Sequence, residues 1–166
     1  VSGSITSSQA NTIDGYTSGV VTATISTTAI ADLDDLTGTG NAYTITVATA
    51  DVTAAALKHV NDATTVAVTA TAVTAITGSA SDLDSIYTSG VSGLGNETVT
   101  VSNADVTAAH LNTINAGTSV NVVATAVTNI TGSKTELATT YGGGMTGLGN
   151  ETITVSDANI TSTEAN

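Results

Sequence analysis

The chain has 166 residues, of which 40% are hydrophobic and 10% charged, and its formal net charge is −12. Two basic residues, Lys58 and Lys134, cannot form the positive patch that nucleic acid or an anionic membrane surface requires, so neither partner is expected. Without Phe, Trp or Cys, the chain suits a narrow interior of small branched side chains, and disulfides and thiolate metal sites are excluded. There is no initiator Met, no signal segment and no stretch that could span a bilayer, so we expect a mature product or a part of something longer.

The chain carries a long internal repeat. Residues 44–112 align without a gap on residues 98–166, so that Tyr87 falls on Tyr141 and GLGNETVTV at 93–101 returns as GLGNETITV at 147–155. Such self-similarity is typical of stacked supersecondary units. We therefore predict one array over 1–166, with the repeat clearest at 44–97 and 98–151 and partial at 1–43 and 152–166.

Each repeat contains two strand-then-helix segments. In the first, residues 98–101 alternate Thr and Val and predict a strand, and residues 106–115 predict a helix that stops at Gly117. In the second, residues 120–123 predict a strand, the chain passes through 126–130, and Ser133 with Glu136 forms a capping box that begins another helix.

Similar segments occur elsewhere in the chain. They cover 20–36, 43–60 and 66–87, and 152–155 predicts a sixth strand. The helices share apolar pairs at one spacing: Leu33/Leu36, Leu57/Val60, Leu83/Ile86 and Leu111/Ile114. Segment lengths are expected to alternate between short (98–119) and long (120–151), with the Gly-rich run 142–144 among the additional residues.

Strands separated by helices must pair in parallel if they share a sheet. The predicted fold class is therefore a repeat solenoid of about six coils, in which parallel strands stack with short helices between them (an α/β- or β-solenoid). At about 4.8 Å per coil, six coils give a rod of roughly 30 Å. The predicted inward ladder contains Val99, Val101, Val120, Val122, Ile153 and Val155.

The two ends of this rod have the same phase and no polar cap. Residues 160–166 resemble residues 5–11, so the chain stops where it starts in the repeat. An unpaired parallel edge is a template for another strand. We expect either a head-to-tail homopolymer or a piece of a longer parent chain, and the sequence does not separate the two.

No catalytic, cofactor-binding or metal-binding residue is predicted, and an enzyme is not expected. His59 and His110 do not fall on each other in the repeat, so we interpret both as solvated or helix-flanking. The acidic clusters Asp32/Asp34/Asp35 and Asp82/Asp84 are interpreted as solvated helix faces, with calcium as the alternative. The glycines at 93 and 95 precede a strand instead of opening a helix, which favours a tight turn, with Asn96 in left-handed backbone, over a phosphate cradle.

A Thr-x-Thr pattern gives the alternative function. It occurs at 22/24, 44/46, 98/100 and 152/154 on strands whose apolar residues face inward, which predicts an outward threonine ladder. Ala67 and Asn121 are expected to interrupt it. Such a face suits ice or glycan binding.

The repeat resembles those of giant secreted cell-surface proteins of cyanobacteria and other aquatic bacteria, of the type associated with swimming. The resemblance rests on Gly-Leu-Gly-Asn-Glu before a Thr/Val strand, Val-Thr-Ala-Ala-x-Leu, and Ile-Thr-Gly-Ser-x-x-x-Leu, and covers the chain from about residue 20. It implies an extracellular or cell-surface structural protein of a filament, sheath, adhesin or biofilm matrix, and transfers no catalytic residue.

Overall fold

A computed structural model describes residues 3–158 as short parallel sheets alternating with helices, an α/β-like arrangement. The strands are β1 Ser4–Ile5, β2 Thr22–Ile25, β3 Ala42–Thr44, β4 Asp51–Thr53, β5 Ala75–Gly78, β6 Thr98–Val101, β7 Asp105–Thr107, β8 Asn129–Gly132 and β9 Thr152–Val155. The helices are α1 Ser7–Asp14, α2 Ile30–Leu33, α3 Ala54–Asp62, α4 Ala80–Thr88, α5 Ala108–Gly117 and α6 Lys134–Gly142.

The described strands form three three-stranded sheets, β1-β2-β3, β4-β5-β6 and β7-β8-β9. Every pairing is parallel, as the sequence predicts. The registers of the second and third sheets coincide when one repeat is laid on the next, since Asp51 pairs with Ala75 as Asp105 pairs with Asn129. Each sheet therefore belongs to one strand–helix–strand–helix–strand unit.

The predicted alternation of short and long segments is wrong. Thr53 pairs with Thr77 and Thr77 with Thr100, and isolated bridges carry this ladder on through Val123 to Thr146 at nearly the same spacing. The number of residues between paired positions is nearly constant because the chain makes two strands, β6 and β7, between α4 and α5. In the first sheet, where Thr24 pairs with Thr44, this number is smaller and the connecting turn is shorter.

The strand predicted at 120–123 is wrong as well. Only Val123 makes a bridge there, Val120 is 37% exposed, and the strand of this segment is β8. The helix predicted from residue 106 begins at Ala108, because Thr107 is its N-cap and accepts from the amide of His110 at 3.2 Å.

Other local predictions are confirmed. The Ser133 amide donates to Glu136 Oε2 at 2.7 Å and the Glu136 amide donates to Ser133 Oγ at 3.3 Å, which is the predicted capping box. These bonds from Ser133 lower the pKa of Glu136. Helix α5 stops at Gly117, and all eight residues of the apolar helix pairs are buried.

The core is continuous along the three units. Val99, Val101 and Val122 are fully buried, as predicted. The predicted inward position of the other three ladder residues is wrong. Ile153 and Val155 hold the equivalent positions of β9 but are 39% and 37% exposed, and Val120, which lies outside the strands, is exposed as well. Glycine allows strand and helix to approach closely, since a Cβ on Gly78 would lie 2.5 Å from the Ala54 Cβ. The predicted resemblance of residues 160–166 to 5–11 lies outside the described residues.

Candidate functional site

The repeated Gly-Leu-Gly-Asn-Glu sequences at 93–97 and 147–151 form two equivalent turns before β6 and β9. Gly93 and Gly147 have φ of +87° and +90°, and Gly95 and Gly149 have φ of +137° and +135°. L-residues rarely adopt these values, so the turn requires glycine at both positions. Asn96 is not left-handed, contrary to the sequence-based prediction, because the described residues with positive φ are all glycines.

In the first turn, the carboxylate of Glu97 is buried and fully hydrogen-bonded. It accepts from the Gly95 amide at 2.6 Å, from the Asn96 amide at 3.0 Å and from the Tyr87 hydroxyl on α4, and Glu97 is 1% exposed. Burial, and then the bond to Glu97, raise the pKa of Tyr87. These donors are what allow a carboxylate to be buried here.

The segment after α5 covers this first turn. The Thr118 hydroxyl donates to the Glu97 carbonyl at 2.8 Å, the Ser119 amide to the Gly95 carbonyl at 2.8 Å, and the Ser119 hydroxyl to Asn96 Oδ1 at 2.7 Å. Gly117 lies against the Tyr87 ring, where a Cβ would overlap the ring atoms. We call residues 117–119 the covering segment and residues 93–97 the first turn.

The second turn, residues 147–151, has the same internal bonds without a cover from the described residues. Glu151 accepts from the Gly149 amide at 2.6 Å and from the Tyr141 hydroxyl at 2.8 Å, and Tyr141 is 46% exposed. Partial burial, and then the bond to Glu151, raise the pKa of Tyr141 to about 12. Burial alone would raise the pKa of Glu151, but the bonds from Tyr141 and from nearby amides outweigh it and lower that pKa.

The first unit keeps the covering contact but replaces the side-chain pair. Leu33 and Tyr43 occupy the positions of Tyr87 and Glu97 one repeat earlier, and both are buried. The Thr64 hydroxyl donates to the Tyr43 carbonyl at 2.7 Å, and the Thr65 hydroxyl to the Asn41 carbonyl at 3.1 Å. The Thr-to-carbonyl contact is therefore independent of the acidic side chain.

The structure pairs His59 with one acidic cluster but does not gather both histidines and both clusters into one site. His59 Nδ1 lies 2.8 Å from Asp34 Oδ1, an exposed pair between α3 and the end of α2. His110 lines a shallow surface pocket beside Asp105, and Asp82 accepts from Ser79 in the cap of α4. Within residues 3–158 there is no group of three or more His, Cys, Asp or Glu side chains placed to hold a metal ion. Of the helices in the same range, none has the length and apolar character needed to cross a bilayer.

Sequence reasoning missed the Tyr–Glu pairs and the covering segment. The signal was present, since Tyr87/Glu97 and Tyr141/Glu151 have the same spacing and fall on each other in the repeat. Compared with known proteins, the chain matches no family model, no curated protein and no solved structure.

Proposed function

We propose that this protein is a structural component of an extracellular filament, sheath or surface adhesin, in which solenoid coils stack end to end, head to tail. The near-constant spacing of the paired residues Thr53, Thr77 and Thr100, and the bridges that extend the second sheet, support this stacking of coils. The mechanism is mechanical: continuous parallel backbone hydrogen bonds and a buried apolar ladder resist extension.

The observation that carries the proposal is that side chains buried in the middle unit are exposed in the last one. Val99 and Val101 are both 0% exposed, whereas their equivalents Ile153 and Val155 are 39% and 37% exposed. At the other end, Tyr16 is 84% and Val20 is 68% exposed. Exposed apolar side chains on two end faces are typical of association surfaces.

Charge favours contact through the ends over contact through the sides. A net charge of −12 makes the sides of neighbouring rods repel each other. The second turn instead offers amides, carbonyls and a carboxylate whose charge already receives hydrogen bonds from Tyr141 and Gly149. Burying this end therefore does not leave a carboxylate without partners.

Electron microscopy of the native material, without denaturant, tests the proposal. We expect filaments whose axial repeat is close to the length of one folded subunit. Sedimentation velocity should show longer species as added salt screens the repulsion between subunits. Isolated short rods at every protein and salt concentration would contradict end-to-end assembly.

The threonine ladders support ice or glycan binding as a second candidate. Thr53, Thr77 and Thr100 are paired across the second sheet, and Thr107, Thr131 and Thr154 across the third. All six are exposed except Thr100, which is half-buried. Ala67 and Asn121 are not themselves paired with these threonines, but the ladder of the second sheet is interrupted in the segment that contains Asn121, where Val123 bridges Thr100 and Thr146.

Thermal hysteresis and ice-crystal shaping test the ice-binding candidate. Activity that is lost in a Thr77→Lys/Thr131→Lys variant with unchanged circular dichroism would support it. Wild-type protein without hysteresis or crystal shaping would remove ice as the ligand, and binding to a glycan array would then test the other half of this candidate.

A further inference from the structure

The chain contains two internal examples of one docking contact. Thr64 and Thr118 each lie ten residues after the first residue of a helix, Ala54 of α3 and Ala108 of α5. In each, the threonine hydroxyl donates to a carbonyl of the preceding unit and its oxygen accepts from the amide two residues later, at 3.1 Å from Val66 and 3.2 Å from Val120. A threonine turn after the first helix of a unit thus seats on the turn of the unit before it.

The first unit has the same threonine turn with no preceding unit in the described chain. Thr17 lies ten residues after Ser7, the first residue of α1, and its hydroxyl oxygen accepts from the Gly19 amide at 3.0 Å. Thr17 and Ser18 are both exposed. The contacts that Thr64 and Thr118 make therefore predict what the turn at Thr17 would bind.

We propose that a second copy of this chain seats its residues 16–18 on the second turn, residues 147–151, of the first copy. In this contact the Thr17 hydroxyl donates to the backbone carbonyl of Glu151, as Thr118 donates to Glu97. The Ser18 hydroxyl donates to the side-chain oxygen of Asn150, as Ser119 donates to Asn96. This inference rests on the proposed end-to-end assembly and adds to it the register and the residues that select the partner.

One residue departs from the internal contact. Tyr16 directly precedes the threonine of its turn, at the position that Ala63 holds before Thr64 and Gly117 holds before Thr118. Gly117 is packed against the Tyr87 ring, so a Tyr16 in its place must meet the Tyr141 ring. Since Tyr16 is 84% and Tyr141 46% exposed, both rings have room to rearrange on docking, and the contact becomes a tyrosine pair.

A mixing experiment with one-sided variants isolates a single interface. In the head-blocked variant Thr17→Lys/Val20→Lys, only the second turn can still bind another copy. In the tail-blocked variant Ile153→Lys/Val155→Lys, only the threonine turn at residues 16–18 can still bind. All four replaced side chains are exposed, so folding should tolerate the changes. We expect each variant alone to stay monomeric in sedimentation velocity and the equimolar mixture to form a dimer that grows no further.

A double-mutant cycle in this mixture then tests the register. Ser18→Ala in the tail-blocked chain and Asn150→Ala in the head-blocked chain should each weaken the dimer about two- to tenfold, and together no more than either alone. The matched controls Ser81→Ala and Asn121→Ala, at exposed positions away from the ends, should leave the Kd unchanged.

The failures are distinguishable. A dimer in which the Ser18 and Asn150 effects simply add overturns this seat and leaves end-to-end assembly standing. Dimers formed by one blocked variant alone overturn the head-to-tail arrangement. No association up to ~1 mM, where the binding free energy is only about −4 kcal/mol, overturns both the seat and the proposed assembly.

Discussion

The two Gly-Leu-Gly-Asn-Glu turns share a sequence and a backbone but not an environment. The first turn lies beneath the covering segment, with Glu97 buried and Tyr87 half-buried, whereas in the second turn Glu151 is half-buried and Tyr141 is 46% exposed. The internal bonds from Tyr and Gly to Glu are the same in both. The local sequence therefore determines the turn, and the neighbouring unit determines its burial.

The comparison extends to the strands that follow. Val101 of β6 is buried in the core, and Val155 of β9, at the equivalent position of the next repeat, is 37% exposed. A pair of identical substitutions at equivalent positions thus measures what the next unit contributes.

The largest difference is expected for Val101→Asp against Val155→Asp. A carboxylate at position 101 should cost at least about 4 kcal/mol and collapse the fold, because Val101 is fully buried in the apolar core. At position 155 the carboxylate remains in water, and we expect less than about 1 kcal/mol in monomeric protein. Thermal unfolding followed by circular dichroism measures both, and an unchanged Tm for Val101→Asp would remove Val101 from the core.

A smaller difference is expected for Glu97→Ala against Glu151→Ala. Removing Glu97 leaves the half-buried Tyr87 hydroxyl and the amides of Gly95 and Asn96 without their acceptor, which should cost about 2–4 kcal/mol in urea unfolding. Water can replace the Glu151 carboxylate at the exposed second turn, so about 1 kcal/mol or less is expected there. Equal losses would show that the covering segment does not decide the effect.

Gly93→Ala and Gly147→Ala should, in contrast, have equal effects. Both glycines have φ near +90°, and an added Cβ would lie 2.5 Å from Thr71 Cγ2 or 2.6 Å from Thr125 Cγ2. The backbone strain and the threonine contact are equivalent in the two repeats and should cost about 1–3 kcal/mol in both, measured by urea unfolding. A clearly smaller cost at position 147 would mean that the second turn relaxes without its cover.

These contrasts also show what the sequence could and could not predict. The Thr/Val alternation of residues 98–101 predicts β6 and its buried valines, because one strand face is encoded locally. The β-branched residues 120–123 predict a strand equally well, yet only Val123 pairs, because pairing depends on what lies beside the segment and not on its own propensity.

The candidate site shows the same limit more sharply. The glycines of residues 93–97 predict a turn from their own conformational freedom. The burial of Glu97 depends on Tyr87, which precedes it on α4, and on Thr118, which follows it after α5. The turn taken alone gives no reason to expect a buried carboxylate. The shared Tyr–Glu spacing, found at 87/97 and 141/151, was the available signal for the pair.

The smallest expected effect concerns pH at the second turn. The pKa of Tyr141 is raised to about 12, so the folded state favours the neutral phenol more than the unfolded chain does, where the pKa is near 10. This contribution to stability is complete below pH 10 and is lost as the pH rises from about 10 to about 12. It should be modest, because Tyr141 is half exposed and solvent screens its interactions.

The variant Tyr141→Phe is the control. It should lose less stability than the wild type between about pH 10 and pH 12, and its tyrosinate absorbance should lack one phenol that ionises near pH 12. If the stabilities of the wild type and Tyr141→Phe fall equally as the pH rises, the Tyr141–Glu151 bond contributes nothing to the stability of the isolated chain. The pair would then contribute only when another segment covers the second turn, as residues 117–119 cover the first.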